Sequence, residues 1–477
     1  MQHRRARARL VVTADGSGVV SHAGARLLSD LADQTTLTTR LSSGLCGLAR
    51  RRTRHDPGRV LTDLAVAIAD GAECISDVAT LADQPGLFGP VASDTTVWRL
   101  LERLDAAQLA RVASARAEAR EVVWAQRGEV SGQAFPPAVT AGRSVQEMRI
   151  DLDASVVVAH SEKEQATPTF KGTFGFHPML ATLDNTGEFL AAQLRPGNAG
   201  ANNAADHIAV LDAALAQIPE QYRFGTPILV RTDTAGATKA FLAHIVALRE
   251  HGMALDFSVG WRLGQPGNAL HAAIAAQPDR LWDPAIDTDN EVADHAGVVE
   301  LTAQLLSISP RALADYPPGM RIIVRRERPH PGAQLDLFET STGWRYTAFA
   351  TTSRVGQLAW LDARHRAHAR VEDRIRCAKD TGMRRFPSRD YKINQAWLTA
   401  VMIAVDLITW AQTLILHDHP DLAKAEPKTL RYRLLHTAAR ITRGQRRIRL
   451  RIDRTWRWAT VLALAFGRVA TLPQPAT

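Results

Sequence analysis

Cysteine is scarce: three in 477 residues, Cys46, Cys74 and Cys377, widely separated and without metal-ligand spacing. Such a set reads as the reduced thiols of a cytosolic protein, and it argues against disulfides and against a structural zinc site. Nothing near the start makes the long apolar stretch of a signal peptide; MQHRRARARL is instead a basic arm suited to touching phosphates. The most apolar segment, AWLTAVMIAVDLITWAQTLIL at 396–416, carries Asp406 in its middle and Gln412 beyond. Those polar groups make a membrane span expensive, so the segment is read as a buried core helix. No phosphate loop, dinucleotide fingerprint or Ser-His-Asp order is present, and Gly172 and Gly175 are too few and badly placed for a glycine-rich loop. Acidic residues are also short: 49 Asp and Glu against 58 Lys and Arg leave a net charge of +9. That balance favours a polyanionic partner without choosing between an enzyme and a binding module.

What is present begins with helices. Residues 60–130 keep helical spacing throughout, with a stop at Gly71, a turn at Pro85 and Gly86, and Ser93 or Asp94 available to cap SDTTVWRLLERL. Short helices joined by glycine turns suit a helix-turn-helix, and equally an ordinary helical bundle. The texture changes at Met148. MRIDLDASVVVAH alternates and is rich in β-branched residues, so it is a strand with Asp151 and Asp153 on one side. ILVRTD is a second, apolar strand ending in Asp233 before a TAG turn and a helix, a position that serves equally as a helix cap or as a ligand at the carboxyl end of a strand. Residues 262–340 are strands and turns, with Arg321, Arg325, Arg326 and Arg328 on one ribbon. The tail holds ten arginines and one aspartate between Arg431 and Arg457, with Trp456 and Trp458 among them, a pattern that fits phosphates and equally a solvated face or a membrane surface.

HRAHARVEDRIRCAKD, from His365, sets Glu372 in a helix rich in positive charge. Arg376 at i+4 and Lys379 at i+7 share its side, so an acid and two bases face one ligand; a plain Glu–Arg pair is the commoner account of such spacing. Asp153, Asp233 and Glu372 come from separate elements of one α/β unit. Without zinc-ligand clusters, three such carboxylates suit hard divalent cations bound through oxygen.

These stretches resemble a family. DGAECISDVATL with SDTTVWRLL, IDLDAS followed by HSEKE, TFGFHPMLATLD, ILVRTDTAG, WRYTAFATTS, and RVEDRIRCAKDTG before FPS occur in order over roughly residues 60–410. Together they are similar to bacterial insertion-sequence transposases of the DDE class, transposase DDE domain group 1. The resemblance implies an α/β fold: a ribonuclease-H-like catalytic core with a β-rich insertion, preceded by a helical N-terminal domain. It sets boundaries at 1–135 for the helical DNA-binding region, 145–262 and 341–418 for the two parts of the core, 263–340 for the insertion and 419–477 for a basic DNA-contacting tail. It implies Mg²⁺ as the working ion, with Mn²⁺ substituting, held by Asp153, Asp233 and Glu372, and Lys379 orienting a DNA phosphate. The partners implied are double-stranded DNA, both terminal inverted repeats and target, and a second copy of the chain in the DNA complex; no membrane is implied, and the setting is the bacterial cytoplasm and nucleoid. Related transposases with such an insertion carry tyrosine, arginine, glutamate and lysine at characteristic intervals. Here Glu372 and Lys379 match, while His365 and His368 stand in the first two positions. These two, with Arg370, Arg376, Arg446 and Arg447, are the nucleic-acid contacts to be expected. A non-catalytic DNA-binding regulator and a nuclease of the same fold are the alternatives.

Overall fold

The computed structural model describes residues 11–49, 54–159, 162–264 and 267–473. The basic arm at 1–10 and the His-Ser pair that opens HSEKE lie outside the described residues.

A nine-stranded sheet carries the fold. In chain order its strands are β1 (Met148–Ala154), β2 (Met179–Leu183), β3 (Phe189–Gln193), β4 (Ile228–Thr232), β5 (Leu255–Trp261), β6 (Asp283–Ile286), β7 (Val292–Glu300), β8 (Arg321–Glu327) and β9 (Arg345–Thr351). Across the sheet they run β6-β7-β8-β9-β5-β4-β1-β2-β3. Strands β1, β4 and β5 are parallel and central, and most of their residues are buried, polar ones included. The other neighbours pair antiparallel. The three strands drawn from 263–340 therefore extend the main sheet through β9 rather than forming a separate ribbon. Their arginines are largely occupied: Arg325 is buried against Asp362 at 2.8 Å, Arg321 pairs with Glu300 at 2.7 Å, and Arg326 lies between the rings of Trp282 and Trp344.

Helices fill the N-terminal region: α1 (Ala25–Gln34), α2 (Leu37–Gly44), α3 (Pro57–Asp70), α4 (Asp94–Arg103) and α5 (Ala106–Ser131). Helix α3 starts with Asp56 accepting from the Arg59 amide and Pro57 in the first turn, and stops at Gly71, whose φ of 121° suits glycine. Ser93 caps α4 by accepting from Thr96. Two more helices bear on the site, α6 (Leu358–Arg366) and α7 (Arg370–Ala378), joined by a tight turn at Ala367–Ala369. Helix α8 (Tyr391–Trp410) is the apolar segment. With its continuation to Ile415 it is long and apolar enough to cross a membrane, and 89% of its apolar window is buried inside the fold.

Asp406, inside α8, is not exposed at any point. It accepts from Arg116 and Arg120 of α5, each at 2.7 Å, and Arg120 also reaches Glu188 at 3.0 Å. Glu188 takes the indole N–H groups of Trp124 and Trp410. Although burial opposes its charge, Arg120 is held above its ordinary pKa by Asp406 and Glu188; Arg116, which pairs with Asp406 and donates to the Phe189 carbonyl, is pushed down by burial. Two cations and two anions thus balance where helices meet the sheet edge.

The two ends of the chain meet. The short strand Val19–Val20 pairs with β10 (Ala439–Gly444), which forms a hairpin with β11 (Arg447–Ile452). The last helix, α9 (Ala459–Ala470), lies against α1.

Candidate active site

The register of β1 on β4 does most of the assembly. Arg231 lies opposite Asp151, and Thr232 opposite Leu152, so the next positions along both strands are Asp153 and Asp233. Side chains two apart share a face. A buried pair, Arg231 with Asp151 at 2.7 Å, therefore sits one step below the two acids.

The helical run above completes the arrangement. Arg231 donates to the Arg364 carbonyl at 2.8 Å, His368 bonds Asp151 through Nδ1 at 2.9 Å, and Glu372 follows one turn later. Residues 364, 368 and 372 are spaced by four and share one helix side, so the run that docks on Asp151 carries Glu372 onward towards Asp153. Asp153, Glu372, Arg376 and Lys379 line one cavity of about 530 Å³.

Charge reports the same proximity. Burial, and then the like charges of Asp233 and Glu372, raise Asp153 to about 6, against the Ala154 amide and His368, which lower it. Asp233 and Glu372 are exposed and, among the described residues, carry no ion pair; Asp233 also caps the short turn Thr234–Gly236 by accepting from Ala235. Arg376 turns from Glu372 to Asp373 at 3.1 Å and Glu426 at 2.9 Å, so the plain Glu–Arg pair is not formed. Lys379 rests on the Val156 carbonyl at 3.1 Å, with its pKa lowered by burial and by Lys171 and Arg384. Unpaired oxygen ligands beside an acid reluctant to ionise are a donor set that fits a hard divalent cation.

Because the folded chain holds a proton on Asp153 that the unfolded chain releases, stability from this group is lost as pH rises through about 6. A cation bound through Asp153 would displace the same proton, so Mn²⁺ affinity is expected to rise about tenfold per pH unit below about 6 and to level off above it. An affinity that stays flat between pH 5 and 6 would contradict this placement of Asp153.

The other expected contacts separate. His365 does not reach the cavity: its ring stacks on Phe349, bonds the Ser258 hydroxyl at 2.9 Å, and burial, His368 and Arg231 push its pKa down to about 3. In this fold it packs between α6 and the sheet, outside the lining of that cavity. His368 is spent on Asp151, so it positions a helix rather than facing solvent. Arg370 is exposed and bonds Asp184 at 3.2 Å and the Val139 carbonyl. Arg446 and Arg447 lie far along the chain on the β10–β11 hairpin, exposed, Arg446 in the turn with φ 59°. Lys171, Phe170 and Arg384 join the cavity without having been singled out; the one signal in sequence was FKG beside the loop that follows β1.

Elsewhere, His22, Asp70 and His436 bring three donor atoms within 4.8 Å of one another and could coordinate a divalent cation. Among the described residues the three acids do not close to that spacing.

A family model described as transposase DDE domain group 1 matches residues 2–474. No curated protein matches the chain. Among solved structures, the chain is similar to one described as a cryo-EM structure of piggyBac transposase synaptic complex with hairpin DNA, at 8% identity and a TM-score of 0.42, covering 86% of this chain and 80% of that one.

Proposed function

Since the chain belongs to the transposase DDE domain group 1 family, we propose that it binds the terminal inverted repeats of an insertion sequence, cuts DNA there and joins the freed end to target DNA. The observation that carries this reading is the in-register placement of Asp153 and Asp233 at the ends of adjacent parallel strands, with the Glu372 helix docked on the same strand through His368. A purely DNA-binding regulator would leave these acids scattered or neutralised by buried partners. The strand order β3-β2-β1-β4-β5, with only the last three parallel, supports a ribonuclease-H-like core.

Asp153, Asp233 and Glu372 would hold Mg²⁺, or Mn²⁺ in its place, which supplies charge stabilisation at the phosphoryl centre. Asp153 gives up its proton as the ion is held. Lys379 exchanges the Val156 carbonyl for a phosphate oxygen, and Arg376, already on the cavity wall, fixes the neighbouring phosphate. Water then attacks the phosphodiester at the transposon end, and the released 3′-hydroxyl later attacks a target phosphodiester. Two ends must be held together, so a dimer on DNA is part of the reading. The test is a labelled inverted-repeat duplex incubated with a target plasmid and Mg²⁺: nicking followed by joined product is expected. Binding with no cleavage in either Mg²⁺ or Mn²⁺ would overturn the catalytic reading, and cleavage with no joining would reduce it to a nuclease.

The hairpin offers a separate check. Replacing Arg446 and Arg447 with alanine removes two exposed charges. End affinity is expected to fall and the slope of log affinity against log salt to flatten by roughly 1.8. An unchanged slope would take the hairpin off the DNA.

A further inference from the structure

We propose that His22, Asp70 and His436 form a structural site for a transition dication of the Zn²⁺ class, one that clamps the start of the chain and the C-terminal hairpin region onto the end of α3. The inference does not depend on the strand-transfer reading, because it uses none of the three acids.

The donors are already gathered. His22 Nδ1 is 2.5 Å from Asp70 Oδ2, His436 Nε2 is 3.3 Å from Asp70 Oδ1, and the two rings are 4.2 Å apart at 39°. Bonds of about 2.0 Å in a tetrahedral site put donors roughly 3.3 Å apart. The His436 side meets that spacing once Nε2 gives up its hydrogen bond to the Asp70 carbonyl at 2.8 Å, and the His22 side needs an opening of less than about 1 Å.

Four features favour a cation over a plain ion pair. Asp70 is 5% exposed, and its Oδ1 has the His436 contact at 3.3 Å without a formed hydrogen bond; a buried carboxylate oxygen so poorly satisfied costs free energy that a bound ion would remove. Asp70 is also the last residue of a 14-residue helix, where the unpaired carbonyls add negative potential. His22 is held at φ 55°, an unfavourable conformation for a non-glycine residue, which is what aims its ring at Asp70. Finally, the two rings lie 4.2 Å apart, each against a different oxygen of one carboxylate, so both can reach a shared ion.

The surroundings leave room for a fourth ligand. His436 lines a cavity of about 560 Å³ with Lys428, Arg431 and Trp456, from which water can enter. Arg431, a buried cation beside the site, is attracted to Asp70 but makes no ion pair with it; its Nε donates to the Ala69 carbonyl at 2.8 Å. Cysteine count alone argued against structural zinc; the donors here are histidine and aspartate from segments 48 and 366 residues apart, which no spacing motif reveals.

The clamp bears on the proposed active site through packing. Ile68, two residues before Asp70, presses on Gly382, where an added Cβ would stand 2.8 Å from its Cγ2. Gly382, at φ 82°, shapes the turn that follows Lys379.

The experiment uses full-length protein with Asp153→Asn and Asp233→Asn, so that the acids take up little metal. Titration with Co²⁺ is expected to give one equivalent of bound ion with the visible ligand-field bands of a four-coordinate site. Zn²⁺ should abolish those bands stoichiometrically and raise the Tm. His22→Gln and His436→Gln should each weaken Co²⁺ binding at least roughly tenfold and remove the Tm gain. Absence of bands and of any Zn²⁺-dependent Tm shift in the starting protein would overturn the site and leave Asp70 an ion-pair partner alone. Bands that survive both histidine substitutions would place the ion elsewhere and overturn it equally.

Discussion

Asp233→Asn is expected to abolish Mg²⁺-dependent cleavage of an inverted-repeat duplex while leaving binding to that duplex largely intact. The substitution keeps the shape of the side chain and its cap on the Ala235 amide, which an asparagine oxygen also accepts. It removes one of the negative charges that face Asp153. If that ligand accounts for ~4 kcal/mol of stabilisation of the transferring phosphoryl group, the rate falls on the order of 10³-fold. The fold should be untouched, since Asp233 is exposed and makes no ion pair among the described residues. A gel assay that shows cleavage retained within a few-fold would remove Asp233 from the reaction.

Asp406→Asn is expected to produce a large loss of stability for an isosteric change. Asp406 accepts from two buried arginines at once, and Glu188 is the sole anion left to balance them. Leaving one buried cation without its partner costs about 3–5 kcal/mol, a large part of the margin by which a typical protein stays folded. The denaturant midpoint should drop accordingly, whereas Asp418→Asn, which cuts a surface pair with Arg468, should move it by about 1 kcal/mol or less. Equal effects from the two would show that the buried cluster is not what joins α5, α8 and β3.

Local pattern carried some of this into view and not the rest. The alternation in IDLD places Asp151 and Asp153 on one face, and the apolar run of ILVRT ends where Asp233 begins; both depend only on the period of a strand. The spacing of Glu372, Arg376 and Lys379 likewise depends only on the helix. That His365 packs against the sheet was not legible, because periodicity says which residues share a helix side but not which side faces the sheet. Phe349 and Ser258, 16 and 107 residues away, decide that. The arginines of 321–328 were read as a charged ribbon because charge in sequence looks alike whether solvated or paired. Asp362 and the rings of Trp282 and Trp344 come from other elements. The Arg231–Asp151 pair also escaped notice, since the register of a parallel pair separated by 80 residues leaves no mark in either strand alone.

The pairing of Val19–Val20 with β10 bears on when, during synthesis, this molecule becomes what it is. Asp153 leaves the ribosome long before Ile452, the end of the hairpin that holds the first strand in place. At about 5–20 residues per second, the interval between those two points is roughly 15–60 s. Until Trp410 emerges the N-terminal helices lack α8, around which they pack, and until Ile452 emerges they lack the hairpin that closes them. Between Asp233 and Arg370 the growing chain carries two strand-end acids but neither the Glu372 helix nor a finished scaffold. The three acids therefore stand on a completed scaffold only in chains whose translation has passed the final hairpin.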